Sequence, residues 1–342
     1  MTLPSRHRRA LITLAALGAS VLSASSAWAQ AGAGAQLLNV SYDVSRELYK
    51  DINPAFSKQW QAKSGKALSI SQSHGGSSRQ ALAVASGLDA DVITMNQASD
   101  LDFLAEKDVI RKDWRQAFPH GAAPYTSVTV FLVRKGNPKG IKDWADLTKP
   151  GTGVIVPNPK TSGNGRYTYL AAWGSVLAKG GNEAQARDFV ARLLANVPVL
   201  DGGGRGATTT FTQRDIGDVL VTFENEAELI ENEFGKGKYE VVYPSITISA
   251  EAPVAINEKV VAKKNSGEAA RAYLNFLFSP EGQEILARHN FRPRDAEVAK
   301  RHAARFPAIK TFTVDSLLGG WPAVVKTHFA DGGIYDQLVA KR

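Results

Sequence analysis

Five short stretches of this chain place glycine, serine, threonine or acidic residues where a run of β-formers gives way to a helical pattern: residues 41–45, 72–78, 158–165, 201–206 and 224–226. Each supplies backbone N–H groups at a helix start, where four donors have no partner within the helix. Aligned peptide dipoles add partial positive charge at that end, so such a junction can hold an anion. Glycine lets a backbone come close to a ligand, and a serine or threonine hydroxyl adds a donor. One junction alone reads as an ordinary cap. Several together, two of them glycine-rich (Gly75-Gly76 and Gly202-Gly203-Gly204), point to a small anion held by hydrogen bonds.

Competing chemistries find little support. The chain has no cysteine, which removes thiol nucleophiles and cysteine-based metal sites. His7, His74, His120, His289, His302 and His328 are scattered without metal-ligand spacing. His74-Gly75-Gly76 is similar to the oxyanion-hole segment of esterases, which leaves a hydrolase as the reading from another class. No Gly-x-Ser-x-Gly nucleophile elbow accompanies it. No Gly-Lys-Ser or Gly-Lys-Thr ends a glycine-rich loop, and residues 202–206 lack the Gly-x-Gly-x-x-Gly spacing of a dinucleotide site. His74 reads as a residue that orders its loop. Arg79, Arg166 and Arg205 read as helix-start residues supporting a site from behind its direct contacts. Trp114, Trp144, Trp173 and Trp321 read as packing.

The elements that must position these loops are short Val- and Ile-rich runs alternating with amphipathic helices. This pattern predicts an α/β fold with mostly parallel strands, in which ligands lie beyond the carboxyl ends of the strands. A chain of 342 residues exceeds what one hydrophobic core organises, so two lobes are expected. The first 29 residues read as a secretory signal peptide: Arg6, Arg8 and Arg9, then an apolar stretch, then Ala27-Trp28-Ala29 as the cleavage pattern. Arg8-Arg9 leaves the general and the twin-arginine routes both open. Without a cysteine to carry a lipid, the exported protein is expected to diffuse freely, which implies a Gram-negative periplasm. Net charge is +8, but the basic residues form no runs, so nucleic acid is not an expected partner.

The same loops resemble the periplasmic sulfate- and thiosulfate-binding proteins, the solute-binding components of ABC importers. The matching stretches are Asn39-Val40-Ser41-Tyr42-Asp43, Gln72-Ser73-His74-Gly75-Gly76-Ser77, Phe131-Leu132-Val133-Arg134-Lys135-Gly136-Asn137-Pro138 and Pro157-Asn158-Pro159-Lys160-Thr161-Ser162-Gly163. Gly203-Gly204-Arg205-Gly206-Ala207-Thr208, Gly217-Asp218-Val219-Leu220 and Ser279-Pro280-Glu281-Gly282-Gln283 follow. The resemblance spans the chain beyond the signal, somewhat closer to the thiosulfate-binding branch.

It implies the type II periplasmic-binding-protein fold, with the ligand in the cleft between two lobes. Residues 36–126 with 247–342 are expected to form one lobe and 127–246 the other, with crossings at 127–133 and 243–250. It implies no cofactor, no metal and no catalysis, and a monomer that delivers sulfate or thiosulfate to a transmembrane permease. Molybdate is the alternative oxyanion. The implied donors are the backbone N–H of Asp43, the Ser77 hydroxyl, and backbone N–H groups of Ser162, Gly163, Asn164 and Gly204. The Asp43 carboxylate is expected to turn away towards Arg46 or Arg205. Phe223 stands where sulfate binders carry a Trp whose indole N–H reaches the anion.

Overall fold

The computed structural model describes residues 35–233 and 237–340. The signal-peptide reading at 1–29 lies outside the described residues. Twelve strands are described: β1 Ala35–Tyr42, β2 Leu68–Gly75, β3 Val92–Thr94, β4 Tyr125–Arg134, β5 Val154–Pro157, β6 Leu200–Asp201, β7 Val219–Phe223, β8 Tyr239–Val242, β9 Thr247–Glu251, β10 Val254–Ile256, β11 Arg292–Pro293 and β12 Thr311–Phe312.

They form two sheets. The smaller has the order β10-β3-β1-β2, with β1 parallel to both β2 and β3, and β10 antiparallel to β3. The larger has the path β12-β9-β4-β7-β5-β6, with β8 and β11 pairing to β4. Its β5 runs parallel to β6 and β7, whereas β4 is antiparallel to its partners. The fold is therefore mixed α/β, built on two sheets. Runs such as Val154–Pro157 and Val219–Phe223 are buried throughout. That is the pattern of strands covered on both faces, and it explains why their apolar residues do not alternate with polar ones.

β4 changes partners along its length. Residues 126–128 pair with β9, and residues 129–133 pair with β7. The return to the smaller sheet comes between β9 and β10, after Glu251. The C-terminal segment, expected with residues 36–126, makes contacts with the helix Gly163–Leu177. Trp321 packs edge-on to Tyr167, and His328 Nδ1 lies 2.9 Å from the Tyr169 hydroxyl, both on the helix Gly163–Leu177. That helix presents aromatic residues that need covering, and the C-terminal aromatic residues supply the cover. Trp114, Trp144, Trp173 and Trp321 are all buried, as their packing role requires.

Candidate functional site

The loops that follow β1, β2, β5 and β6 converge. A Cβ added to Gly76 would lie 2.4 Å from the Thr161 carbonyl oxygen and 2.7 Å from that of Gly202, so two backbones of the other half crowd this residue. A Cβ on Gly204 would lie 2.8 Å from Val44 Cγ1 and 3.1 Å from Asn164 Nδ2. Residues 43–44, 76–77, 161–164 and 202–204 thus surround one place, which four sequence-distant motifs anticipated.

Three helix N-termini meet there, those of Ser77–Ala85, Gly163–Leu177 and Gly204–Thr212, together with the single turn Asp43–Ser45. Ser77, Gly163, Asn164 and Gly204 stand in first turns, where a backbone N–H has no intrahelical acceptor. Asp43 heads its turn and has its N–H at the same end. Phe223 closes β7, buried and edge-on to Tyr167 at 5.7 Å between ring centroids. Its neighbour Thr222 accepts a hydrogen bond from Asn164 Nδ2 at 3.0 Å, which ties the end of β7 to the 162–164 loop.

Two of the expected donors differ in detail. The Ser77 hydroxyl donates to Asp100 Oδ2, and Ser78 Oγ donates to Asp100 Oδ1 at 3.0 Å. A buried carboxylate must be satisfied, and these hydroxyls satisfy it. The Ser162 backbone N–H donates to the Asn158 carbonyl at 2.9 Å, closing the turn that precedes its helix. What Ser162 has left is its hydroxyl, which accepts from the Gly165 N–H at 3.4 Å.

The charged groups are paired with one another. Asp43 Oδ2 accepts from the backbone N–H of Arg205 at 3.1 Å, so the carboxylate turns to the main chain of Arg205, while the guanidinium goes elsewhere. Arg205 Nη2 lies 2.7 Å from Glu47 and 3.2 Å from Glu226. Burial raises the Asp43 and Asp100 carboxyls above their ordinary range, and Arg205 and Arg166 respectively oppose that rise. Arg166 Nε donates to the Pro159 carbonyl at 3.0 Å, and its Nη1 donates to Ser99 Oγ at 3.2 Å and lies 3.9 Å from Asp100. Arg79 Nη2 reaches the Gly202 carbonyl at 3.5 Å.

His74 lies beside the Tyr42 carbonyl, its Nδ1 at 3.4 Å, and burial with Arg46 nearby lowers it to about 4. It is therefore neutral at neutral pH. The Ser77 hydroxyl is engaged by Asp100, so no serine–histidine relay forms around the Gly75-Gly76 turn. Sequence reasoning missed Glu47, Glu226 and Asp100, whose roles depend on contacts between distant segments. It also missed Asn96, whose buried Oδ1 has no hydrogen-bond partner among the described residues and faces the Cα of Gly163.

Comparison with known proteins places this geometry. Residues 21–292 match the bacterial extracellular solute-binding protein family. The chain is 58% identical over 322 residues to the thiosulfate-binding protein of Pseudomonas aeruginosa, covering 94% of this chain and 97% of that one. It is 55% identical over 304 residues to the sulfate-binding protein of Escherichia coli, covering 89% and 92%. Among solved structures, the sulfate-binding protein SubI of Mycobacterium tuberculosis H37Rv superposes with a TM-score of 0.78 at 34% identity, covering 85% of this chain and 98% of that one.

Proposed function

This chain belongs to the bacterial extracellular solute-binding proteins, and from that premise we propose that it captures sulfate or thiosulfate between two lobes for an ABC importer. One observation carries the choice of ligand. Arg166 and Arg205 are already engaged by protein acceptors and Arg79 reaches the Gly202 carbonyl, which leaves uncharged donors to face an anion. The donors we assign are the backbone N–H groups of Asp43, Ser77, Gly163, Asn164 and Gly204, with the Ser162 hydroxyl. Phe223 flanks them.

Donors alone suit an ion that carries no proton. Sulfate and thiosulfate are fully ionised at neutral pH and only accept hydrogen bonds. Phosphate near pH 7 usually keeps a proton that needs an acceptor. The carboxylates of Asp43 and Asp100 already accept from Arg205, Ser77 and Ser78. An unmatched buried proton costs on the order of 1–3 kcal/mol. Molybdate is not favoured, because relatives at 48–58% identity bear sulfate and thiosulfate names.

In this reading the lobes hinge where β4 changes partners and where β9 leads into β10. The protein acts as a monomer in a Gram-negative periplasm and docks on a transmembrane permease. The test is a competition titration of the purified protein with sulfate, thiosulfate, molybdate and phosphate. At about 100 times Kd, the preferred anion should stabilise the fold by roughly 2.7 kcal/mol. Tighter binding of phosphate or molybdate than of both sulfur oxyanions would overturn the assignment.

A further inference from the structure

The family match ends at residue 292, and every donor assigned above lies before that point. The chain continues into a strap that returns to the site from behind. Its aromatic residues seat it: Phe329 and Tyr335 lie 5.3 and 6.0 Å from Tyr169 between ring centroids, and Arg166 stacks over Phe329 at 5.2 Å. The strap then grips the loop that leads into the helix Gly163–Leu177. Lys160 Nζ donates to the Phe329 carbonyl and to Asp336 Oδ2, both at 3.0 Å, and the Tyr335 hydroxyl donates to Asn158 Oδ1 at 3.2 Å. Asp336 is itself held by the Gly332 N–H at 2.9 Å.

Asn158 is the pivot of that loop. Its carbonyl accepts the N–H groups of Thr161 and Ser162 at 3.1 and 2.9 Å, and its side chain accepts the Lys160 N–H at 2.9 Å. Its own N–H donates to the Asp201 carbonyl at 2.7 Å, just before the 202–204 loop. A shift of Asn158 or Lys160 therefore moves the Ser162 hydroxyl and the N–H groups of Gly163 and Asn164 together. Donors aimed at one ion must keep their positions to within about 0.5 Å, and supporting contacts of this kind keep them there.

We propose that residues 325–340 are a positioning strap for the anion loop, with Tyr335 and Asp336 holding Asn158 and Lys160 so that the donors at 162–164 converge. The inference rests on the sulfate or thiosulfate reading for the ligand but not for the strap's grip on the loop. Tyr335→Phe removes the hydrogen bond to Asn158, Asp336→Asn removes the charge that faces Lys160, and both keep the packing. Each should weaken sulfate or thiosulfate binding roughly 3- to 30-fold, with little change in the ligand-free melting temperature. Amide exchange at residues 158–164 should speed up in both variants. Once Lys160→Met is present, adding Asp336→Asn should cost nothing more.

A wild type that binds and single variants with unchanged dissociation constants would overturn the positioning role. Unchanged exchange at 158–164 would overturn the strap's grip whichever anion binds. A wild type that binds neither anion, with faster exchange at 158–164 in the variants, would sink the ligand reading and leave the strap standing.

Discussion

The backbone N–H of Arg205 donates to Asp43 Oδ2 at 3.1 Å, so a carboxylate from beyond β1 caps a helix of the larger sheet. The residue before that helix, Gly203, makes no side-chain cap of its own. Asp43 thus supplies from the other half what the local sequence lacks. The Arg205 guanidinium reinforces the same junction by reaching back to Glu47. The two halves are joined by main-chain and ionic contacts around the place where the donors converge.

Gly76 should set whether the halves can close. Its backbone angles, φ −57° and ψ 131°, suit any residue, so an open form tolerates alanine there. With the halves in contact, as the structure has them, the added methyl meets the Thr161 and Gly202 carbonyls. Gly76→Ala should leave the ligand-free melting temperature unchanged and lose compaction on anion addition in small-angle scattering. A penalty of about 1–3 kcal/mol on the closed form alone lowers affinity roughly 5- to 150-fold.

Ser77→Ala should act on stability more than on affinity. The hydroxyl serves Asp100, while the backbone N–H remains for the anion. Stranding part of that buried carboxylate costs about 1–3 kcal/mol, to be read from urea unfolding, and adding Asp100→Asn should recover part of it. A loss of sulfate affinity larger than the loss of stability would return the hydroxyl to the ligand.

Phe223→Trp should move preference towards sulfate. Thiosulfate presents one soft sulfur that accepts hydrogen bonds weakly and tolerates an apolar ring edge, whereas a fourth oxygen wants a donor. The gain is at most about 1.5–3 kcal/mol, one hydrogen bond to a charged group. Phe223 is only 2% exposed and sits against Tyr167, so fitting the larger ring costs about 1–3 kcal/mol unless the site relaxes. The ratio of the two dissociation constants at one ionic strength decides it, because that fitting cost is common to both anions.

Glu226 gives stability a pH dependence. Its side chain is fully buried between Arg205 and Thr208 Oγ1, the latter at 2.6 Å, with Asp43 and Glu47 also nearby. Burial pushes its carboxyl from 4.5 up to about 7, against the pull of Arg205. Between those values the folded chain holds the proton and the unfolded chain does not, so stability falls as pH rises through that window. The full contribution is about 3 kcal/mol. The stability of wild type relative to Glu226→Gln should decline from pH 4.5 to 7 and then level off, and a flat difference would place Glu226 among ordinary carboxylates.

The loops at 41–45, 72–78, 158–165 and 201–206 were legible because donor chemistry needs glycine and small polar residues at helix starts, and those residues stand in the sequence. What each donor does was less legible. That the Ser77 hydroxyl serves Asp100, and the Ser162 N–H serves Asn158, depends on acceptors the motifs do not contain. Arg205 looked available for the Asp43 side chain, but Glu47 and Glu226 claim its guanidinium. A crossing was read at 127–133 and β4 changes partners inside that range, but an unbroken ten-residue β-run carries no mark of the exact point. The C-terminal aromatic residues gave no period that would reveal their seat on Tyr167 and Tyr169.

The smaller sheet is finished only by β10, whose Ile256 pairs with Val92 of β3 across the whole of the intervening chain. A growing polypeptide therefore cannot complete its first-made sheet until most of the protein has been synthesised. Pairings so distant in sequence form slowly. During that delay β3 offers an unsatisfied edge. The order of assembly is thus opposite to the order of synthesis at this edge, with the last-arriving strand setting the time at which the first half becomes native.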